Sequence, residues 1–414
     1  MAAIWRHGLE ISHEIWQDVA MLDATSSSDS TLRVAGLFAG IGGLELGFHA
    51  LGATTELLCE SWEPARTVLR ENFPSVPMHD DVRTLAGLPD VDVVTAGFPC
   101  TDLSQAGRQA GIEGENSGLI KHLFDLLSDS SPRWVVIENV RNMLALDKGK
   151  AMAYLVSELE RLGYRWAYRV VDSRFTGVPQ RRQRVLMVAS KDDDPADVLL
   201  SRDAGEPHEA RYSADAFGFY WTEGNTGIGW AEDAIPTLKG GSSMGISSAP
   251  AIWIPQQEVG KAIVTPHISD GEVLQGFEAG WTASVNGRVG HRWKLVGNAV
   301  TVGVSTWLAE QLVAPQVYDR TGDIDCAGAA RWPLAAWGYQ GKRWASNVSM
   351  WPAHQPYRHL LDVVDVTQAH PLSFRATKGF RSRLEASRLR YSPAFMDALK
   401  LHEKHMEAEA LVKK

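Results

Sequence analysis

Cys100 stands in the string GFPCTDLSQAG, Gly97 to Gly107, where the β-branched run Val91 to Thr95 gives way to a polar loop ending in glycine. The carboxyl end of a buried strand is where open α/β sheets place their chemistry. A thiol there has the access and the electropositive neighbours that make a nucleophile. An isolated cysteine is more often a small buried hydrophobe, so its surroundings must decide. A second buried run, WVVIENV from Trp134 to Val140, delivers Glu138 at its end. A carboxylate in that position is costly unless bonded, and its protonated form can donate a hydrogen. An ion-paired or helix-capping glutamate is the plainer alternative. The string PQRRQR, Pro179 to Arg184, packs three arginines into four positions just before the strand Val185 to Ala189. Alone, such a cluster reads as a solvated basic face; beside a cysteine it would favour the thiolate.

These groups need a scaffold, and LRVAGLFAGIGGLELGFHALG supplies its first unit: a short strand, a turn through Gly40, Gly42 and Gly43, then an apolar helical pattern. Glycines at such a turn let a ligand approach the backbone and leave amides free at a helix N-terminus. Glu60 ends the strand TTELLCE about 20 residues further on, placed to accept from ribose hydroxyls. Turn and carboxylate together indicate a cofactor that contains a nucleoside.

The chain has 414 residues, 44% apolar and 22% charged, enough for two or three domains with ample core. Its three cysteines, Cys59, Cys100 and Cys326, have no spacing that suggests a disulfide or a zinc site, so no metal is expected. No run is apolar enough to span a membrane, and MAAIWRHGLEISHEIWQ lacks a signal-peptide layout, so the expectation is cytoplasmic. The net charge of −9 argues mildly against nucleic acid, but 14 Lys/Arg against 7 Asp/Glu between Arg331 and Lys414 give that part +7. Within it, Arg375, Lys378, Arg381, Arg383, Arg388 and Arg390 either follow a phosphate backbone or form a solvated helical face. After Lys191 the periodicity breaks into a stretch rich in Gly, Ser, Pro and aromatic residues, read as a loop-rich small domain.

The set resembles the DNA cytosine-5 methyltransferases of bacterial or phage type. GFPC carries their Pro-Cys signature, FAGIGG their S-adenosylmethionine loop, ENV their glutamate string and QRRQR their Gln-x-Arg-x-Arg element; ISDGEVLQGF and WKLVGNAV follow in the family order. The likeness runs from Leu32 to Leu312. It implies an α/β fold: a Rossmann-like S-adenosylmethionine-dependent methyltransferase domain with a smaller loop-rich target-recognition domain. The expected divisions are an N-terminal helical arm and linker (1–30), a catalytic domain (31–190), a target-recognition domain (191–285), a segment returning to the catalytic domain (286–313) and a basic C-terminal extension (314–414).

The resemblance also implies roles. Cys100 would attack C6 of a cytosine flipped out of double-stranded DNA, with Glu138 at N3, Arg184 at O2 or the neighbouring backbone, and Arg182 holding the catalytic site. The cofactor, which leaves as S-adenosylhomocysteine, would be bound by Phe38, Ala39, Gly40, Gly42, Gly43, Glu60, Trp62, Asp81, Val82, Pro99, Leu119, Asn298 and Val300. Asp80 is the neighbouring alternative to Asp81, and Trp62 departs from the family spacing, Ser61 occupying the adjacent position. Thr101 stands where the family usually has glutamine; Ser104 and Gln180 are expected at the DNA. A monomer is expected, since one recognition domain can read a short site, and a cognate restriction endonuclease is a possible partner. Two alternatives stay open: a transfer-RNA cytosine-5 methyltransferase, and a catalytically silent DNA-binding regulator of the same fold.

Overall fold

The computed structural model describes residues 31–99, 118–208, 211–240, 249–285, 287, 289–329 and 331–412. The arm expected over 1–30 and the residues Cys100 and Ser104 lie outside this set.

Short runs, mostly buried except in β3, make the parallel strands. β1 (Arg33–Leu37), β2 (Thr54–Cys59), β3 (Met78–His79), β4 (Val93–Ala96) and β5 (Trp134–Val140) pair in parallel in the order β3-β2-β1-β4-β5. Parallel strands need helical crossovers. α1 (Gly43–His49), α2 (Glu63–Asn72) and α3 (Gly118–Ser128) follow β1, β2 and β4. Beyond β5 the pairings are antiparallel, through β6 (Arg165–Asp172), after α4 (Lys150–Arg161), and β7 (Gln183–Ser190), which lies between β5 and β6. This is a Rossmann-like α/β sheet. Chain order reverses at β1: the chain moves outward to β3, then returns to place β4 on the other side of β1. A crevice is therefore expected outside the carboxyl ends of β1 and β4.

The sheet is covered on both faces. Ile120, Leu123, Met152 and Leu155 pack with Val94, Val135 and Val170 on one. On the other, Leu44 and Phe48 meet Val93, Trp134 and Trp307. A short helix, α5 (Pro195–Leu199), contributes Ala196, Val198 and Leu199 to that second core, so the large-sheet core extends past residue 190.

A second, five-stranded sheet follows. β8 (Phe217–Phe219), β9 (Ala231–Glu232), β10 (Ala251–Trp253) and β11 (Ile263–Thr265) are each only two or three residues long. After them, α6 (Ile268–Leu274), α7 (Val289–Asn298) and α8 (Val302–Val313) lead back to the large sheet. Ser305 Oγ donates to the Leu44 carbonyl at 2.5 Å, and a Cβ on Gly47 would lie 2.4 Å from that of Ser305.

Residues 314–414 divide between the two sheets. β12 (Ile324–Asp325), β13 (Ala335–Tyr339) and β14 (Lys342–Ala345) extend the large sheet beyond β6. β15 (His370–Pro371) joins β11, while α9 (Phe374–Ala386) and α10 (Pro393–Val412) cover the small sheet with Phe380, Leu384, Phe395 and Leu399. Part of the basic run is used internally: Arg381 pairs with Glu385 and Glu403, and Arg383 donates to the Trp221 and Glu223 carbonyls. No helix among the described residues is long and apolar enough to cross a membrane.

Candidate active site

A cavity of about 290 Å³ opens where the topology requires it. Its wall takes Phe38 and Gly40 from the end of β1, Glu60 and Trp62 from the end of β2, Asp81 and Val82 after β3, and Pro99 after β4. Leu119 of α3 and Asn298 of α7 complete the expected members.

The turn after β1 is tightly constrained. Phe38 adopts φ 55, a left-handed conformation that costs a non-glycine residue on the order of 1 kcal/mol. Gly42 sits at φ 83, and a Cβ there would meet the Phe73 ring at 2.4 Å. Glu60 holds the turn open, accepting from the Gly40 amide at 2.9 Å and the Trp62 amide at 2.7 Å. Burial raises its pKa, and those amides oppose the rise. Asp81, rather than Asp80, faces the cavity; its carboxylate is forked by Arg83, which lowers its pKa.

Four of the expected cofactor residues stand behind this wall. Ala39 packs with the cluster of Leu58, Leu69 and Phe73. Gly42 and Gly43 form the turn itself, and the Val300 carbonyl would lie 2.7 Å from a Cβ on Gly43. Val300 therefore buttresses the loop instead of lining the cavity.

Other lining residues were not anticipated: Cys59, Ser61, Ala65, Gly97, Lys294 and Leu295. Lys294 precedes Asn298 by one helical turn, so both share a face of α7, and that spacing was legible. Its Nζ lies 4.6 Å from the Trp62 ring centroid. Cys59 is a buried thiol pushed up to about 12, chiefly by desolvation, and is no nucleophile.

Beside the cavity, the carboxyl end of β5 presents Glu138, buried at 7% exposure. It pairs with Leu186 in the ladder to β7, so Arg184 lies diagonally opposite on the same face. Arg184 Nε is 2.9 Å from Glu138 Oε1, an ion contact without hydrogen-bond alignment. Desolvation lowers the Arg184 pKa despite the carboxylate. Next along β5, Asn139 Nδ2 donates to the Phe98 carbonyl at 3.1 Å, fixing the chain just before Pro99. That anchor was not singled out from the sequence.

Two of the expected site residues lie in the interior. Gln180, expected at the DNA, is fully buried: its Nε2 donates to the Leu274 carbonyl at 2.9 Å and to Gln275, and its Oε1 accepts from the Leu238 amide. Its amide thus links the stretch before β7 to the end of α6 and to Leu238. Arg182, grouped with the catalytic residues as the one holding the site, is also buried, and its guanidinium donates to the carbonyls of Leu238 (3.0 Å), Gly297 (3.3 Å) and Ala299 (2.6 Å). These bonds tie the start of β7 to the end of α7.

The motif ISDGEVLQGF braces the same junction. Fully buried Glu272 accepts from the amides of Gly280 (2.6 Å) and Thr282 (2.9 Å) and pairs with Arg292 at 2.8 Å.

Comparison with known proteins gives this geometry a family. The pattern of the C-5 cytosine-specific DNA methylases matches residues 32–218. The type II methyltransferase M2.BsuMI of Bacillus subtilis (strain 168) is 45% identical over 385 residues, covering 89% of this chain and 97% of that protein. The type II methyltransferase M.NgoFVII of Neisseria gonorrhoeae is 34% identical over 172 residues, 41% of this chain and 46% of that one. The crystal structure of the S. pombe Dnmt2 methyltransferase superposes with a TM-score of 0.52 at 17% identity over 68% of this chain and 98% of that one, a likeness of fold. With one relative matched nearly end to end and the family pattern laid over the cavity-bearing strands, the chain belongs to the C-5 cytosine-specific DNA methylases and is a DNA (cytosine-5)-methyltransferase.

Proposed function

We propose that the chain methylates C5 of a cytosine flipped out of double-stranded DNA, through a covalent adduct between Cys100 and C6. The observation that carries this reading is the juxtaposition of a cavity lined by Phe38, Glu60, Trp62 and Asp81 with the Glu138–Arg184 pair at the adjoining strand end. The cavity is near the lower limit of the ~300–1,000 Å³ usual for ligand sites, with aromatic surface for a base and carboxylates for hydroxyl and amino groups. These residues fit S-adenosylmethionine: Glu60 toward the ribose, Asp81 toward the adenine amino group, Phe38 and Trp62 against the ring. When bound, it supplies the methyl group.

A stacked cytosine exposes neither face, so the base must leave the duplex to react. Glu138 holds a proton at N3 while Arg184 steadies its carboxyl group and reaches O2. The Cys100 thiolate adds to C6, C5 becomes nucleophilic and accepts the methyl group, and loss of the C5 proton expels the thiolate. Arg182 and Asn139 fix the strand ends on which orientation depends. The small sheet is proposed to read the sequence flanking the target through its loops. The relatives' type II character supports a role in restriction–modification, with a cognate endonuclease as partner and the enzyme acting as a cytoplasmic monomer.

The test is methyl transfer from labelled S-adenosylmethionine to unmethylated duplex DNA, with bisulphite sequencing of the product. Modification confined to one short sequence and lost in Cys100→Ala is expected. Transfer that survives Cys100→Ala would overturn the covalent mechanism; transfer to transfer RNA alone would overturn the DNA substrate.

A further inference from the structure

A second cavity opens where the chain leaves β5. After Val140 it makes two short 3-10 turns, Arg141–Leu144 and Leu146–Gly149. Facing them is the segment entering β13. The cavity between measures about 590 Å³ and is lined by cations, Arg141, Lys148 and Arg331, and by apolar groups, Leu144, Trp332 and Leu334. No carboxylate is among its described lining residues, in a chain whose net charge is −9. The adjacent Asp147 has one carboxylate oxygen buried away from solvent.

The cations are placed and available. Asp147 and Lys148 adopt φ 49 and 58, left-handed backbone that non-glycine residues take only where the surroundings enforce it. Trp332 is fixed by donating to the Gly149 carbonyl at 2.9 Å, with Arg343 4.0 Å above its ring. Arg141 uses one nitrogen on Gln183 Oε1, while Lys148 and Arg331 have no ion pair among the described residues.

Cations around an aromatic and aliphatic floor fit the phosphates and sugars of a polynucleotide. Arg141 follows Glu138 by three residues, a reach of at most about 11 Å. We propose that this cavity seats the sugar–phosphate backbone of the nucleotides flanking the extruded cytosine, with Lys148 and Arg331 on phosphates and Trp332 beneath the sugar or base. This rests on the reading above that the substrate is duplex DNA. It gives the C-terminal segment a part in substrate binding through Arg331 and Trp332.

The experiment measures affinity for a labelled duplex carrying the mapped site against salt concentration, for the wild type, Lys148→Ala, Arg331→Ala, the double variant and Arg331→Lys. Each alanine should reduce the slope of log K against log salt by about 0.9, and the double variant by about twice that, while Arg331→Lys keeps the wild-type slope. KM for DNA should rise in parallel, with S-adenosylmethionine affinity read as a folding control. A double variant with the wild-type slope and normal cofactor binding would overturn the proposal. So would tight binding of a free deoxynucleoside monophosphate that duplex DNA does not displace, which would mark a small-molecule site. If the wild type neither binds nor methylates duplex DNA, the DNA reading of Proposed function fails instead.

Discussion

The two sheets meet the same need, a buried face, by opposite means. In the parallel half of the large sheet the crossover helices α1, α2 and α3 follow their strands directly, with α8 added over one face from far along the chain, and the ends of β1 to β4 donate to one cavity: Phe38, Glu60, Asp81 and Pro99 come in chain order. In the small sheet the strands are too short to bury much. The core comes from an aromatic cluster in which Phe219 meets Phe380 and Phe395 at ring distances of 5.0 Å, across more than 150 residues of chain. A site assembled from consecutive strand ends tolerates changes elsewhere. A sheet roofed by remote helices depends on a few large side chains.

Phe380→Ala makes the sharpest cut between the two. Phe380 is fully buried, and its truncation should destabilise the small sheet by about 3–5 kcal/mol. DNA methylation should be lost while S-adenosylmethionine affinity, read by calorimetry, stays within about twofold. Equal loss of cofactor binding would mean that both sheets unfold as one unit.

Glu60→Gln tests the other side. Glutamine keeps one acceptor for the two amides of the turn and turns a donor toward the second. Cofactor affinity should fall about tenfold, with the unfolding of the small sheet unchanged. Unaltered affinity would show that the turn holds its shape without the carboxylate.

The smallest effect concerns Glu45, buried beneath β1 and β4, where Thr95 donates to it at 2.6 Å. Burial raises its pKa above the ordinary 4.5, so the folded chain keeps a proton that the unfolded chain releases. Its contribution is complete below pH 4.5 and is lost as pH rises through the folded value. Glu45→Gln should remove that slope and add about 1 kcal/mol at neutral pH, read as a melting temperature that no longer falls with pH. A variant that keeps the slope would place the titration elsewhere.

What was legible follows the same division. The strand-end positions of Glu60 and Glu138 could be read from the residues because a buried run and the carboxylate that ends it fall within one short string, whereas Phe38 and Asp81 came only from the family resemblance. The burial of Gln180 was not legible, because its arginine-rich neighbours suggest solvent while the burial is set by Gln275 and Leu274, over ninety residues away. The β13–β14 hairpin did carry a local signal. Gln340 and Gly341 sit at φ 52 and 77, as a two-residue hairpin turn of type I′ requires, between Trp337 and Trp344, which stack at 4.3 Å. The pairing of β13 with β6 carried none, since it joins residues more than 160 positions apart.

The return of α8 onto α1 has a consequence in time. The hydrogen bond from Ser305 to Leu44 spans 261 residues. At about 5–20 residues per second, α1 leaves the ribosome on the order of tens of seconds before its cover exists. During that interval the nascent chain already carries Cys100, Glu138 and Arg184, but not the Asn298 side of the cavity. A ribosome that stalls before α7 would release every string named for chemistry and no complete pocket in which to use them.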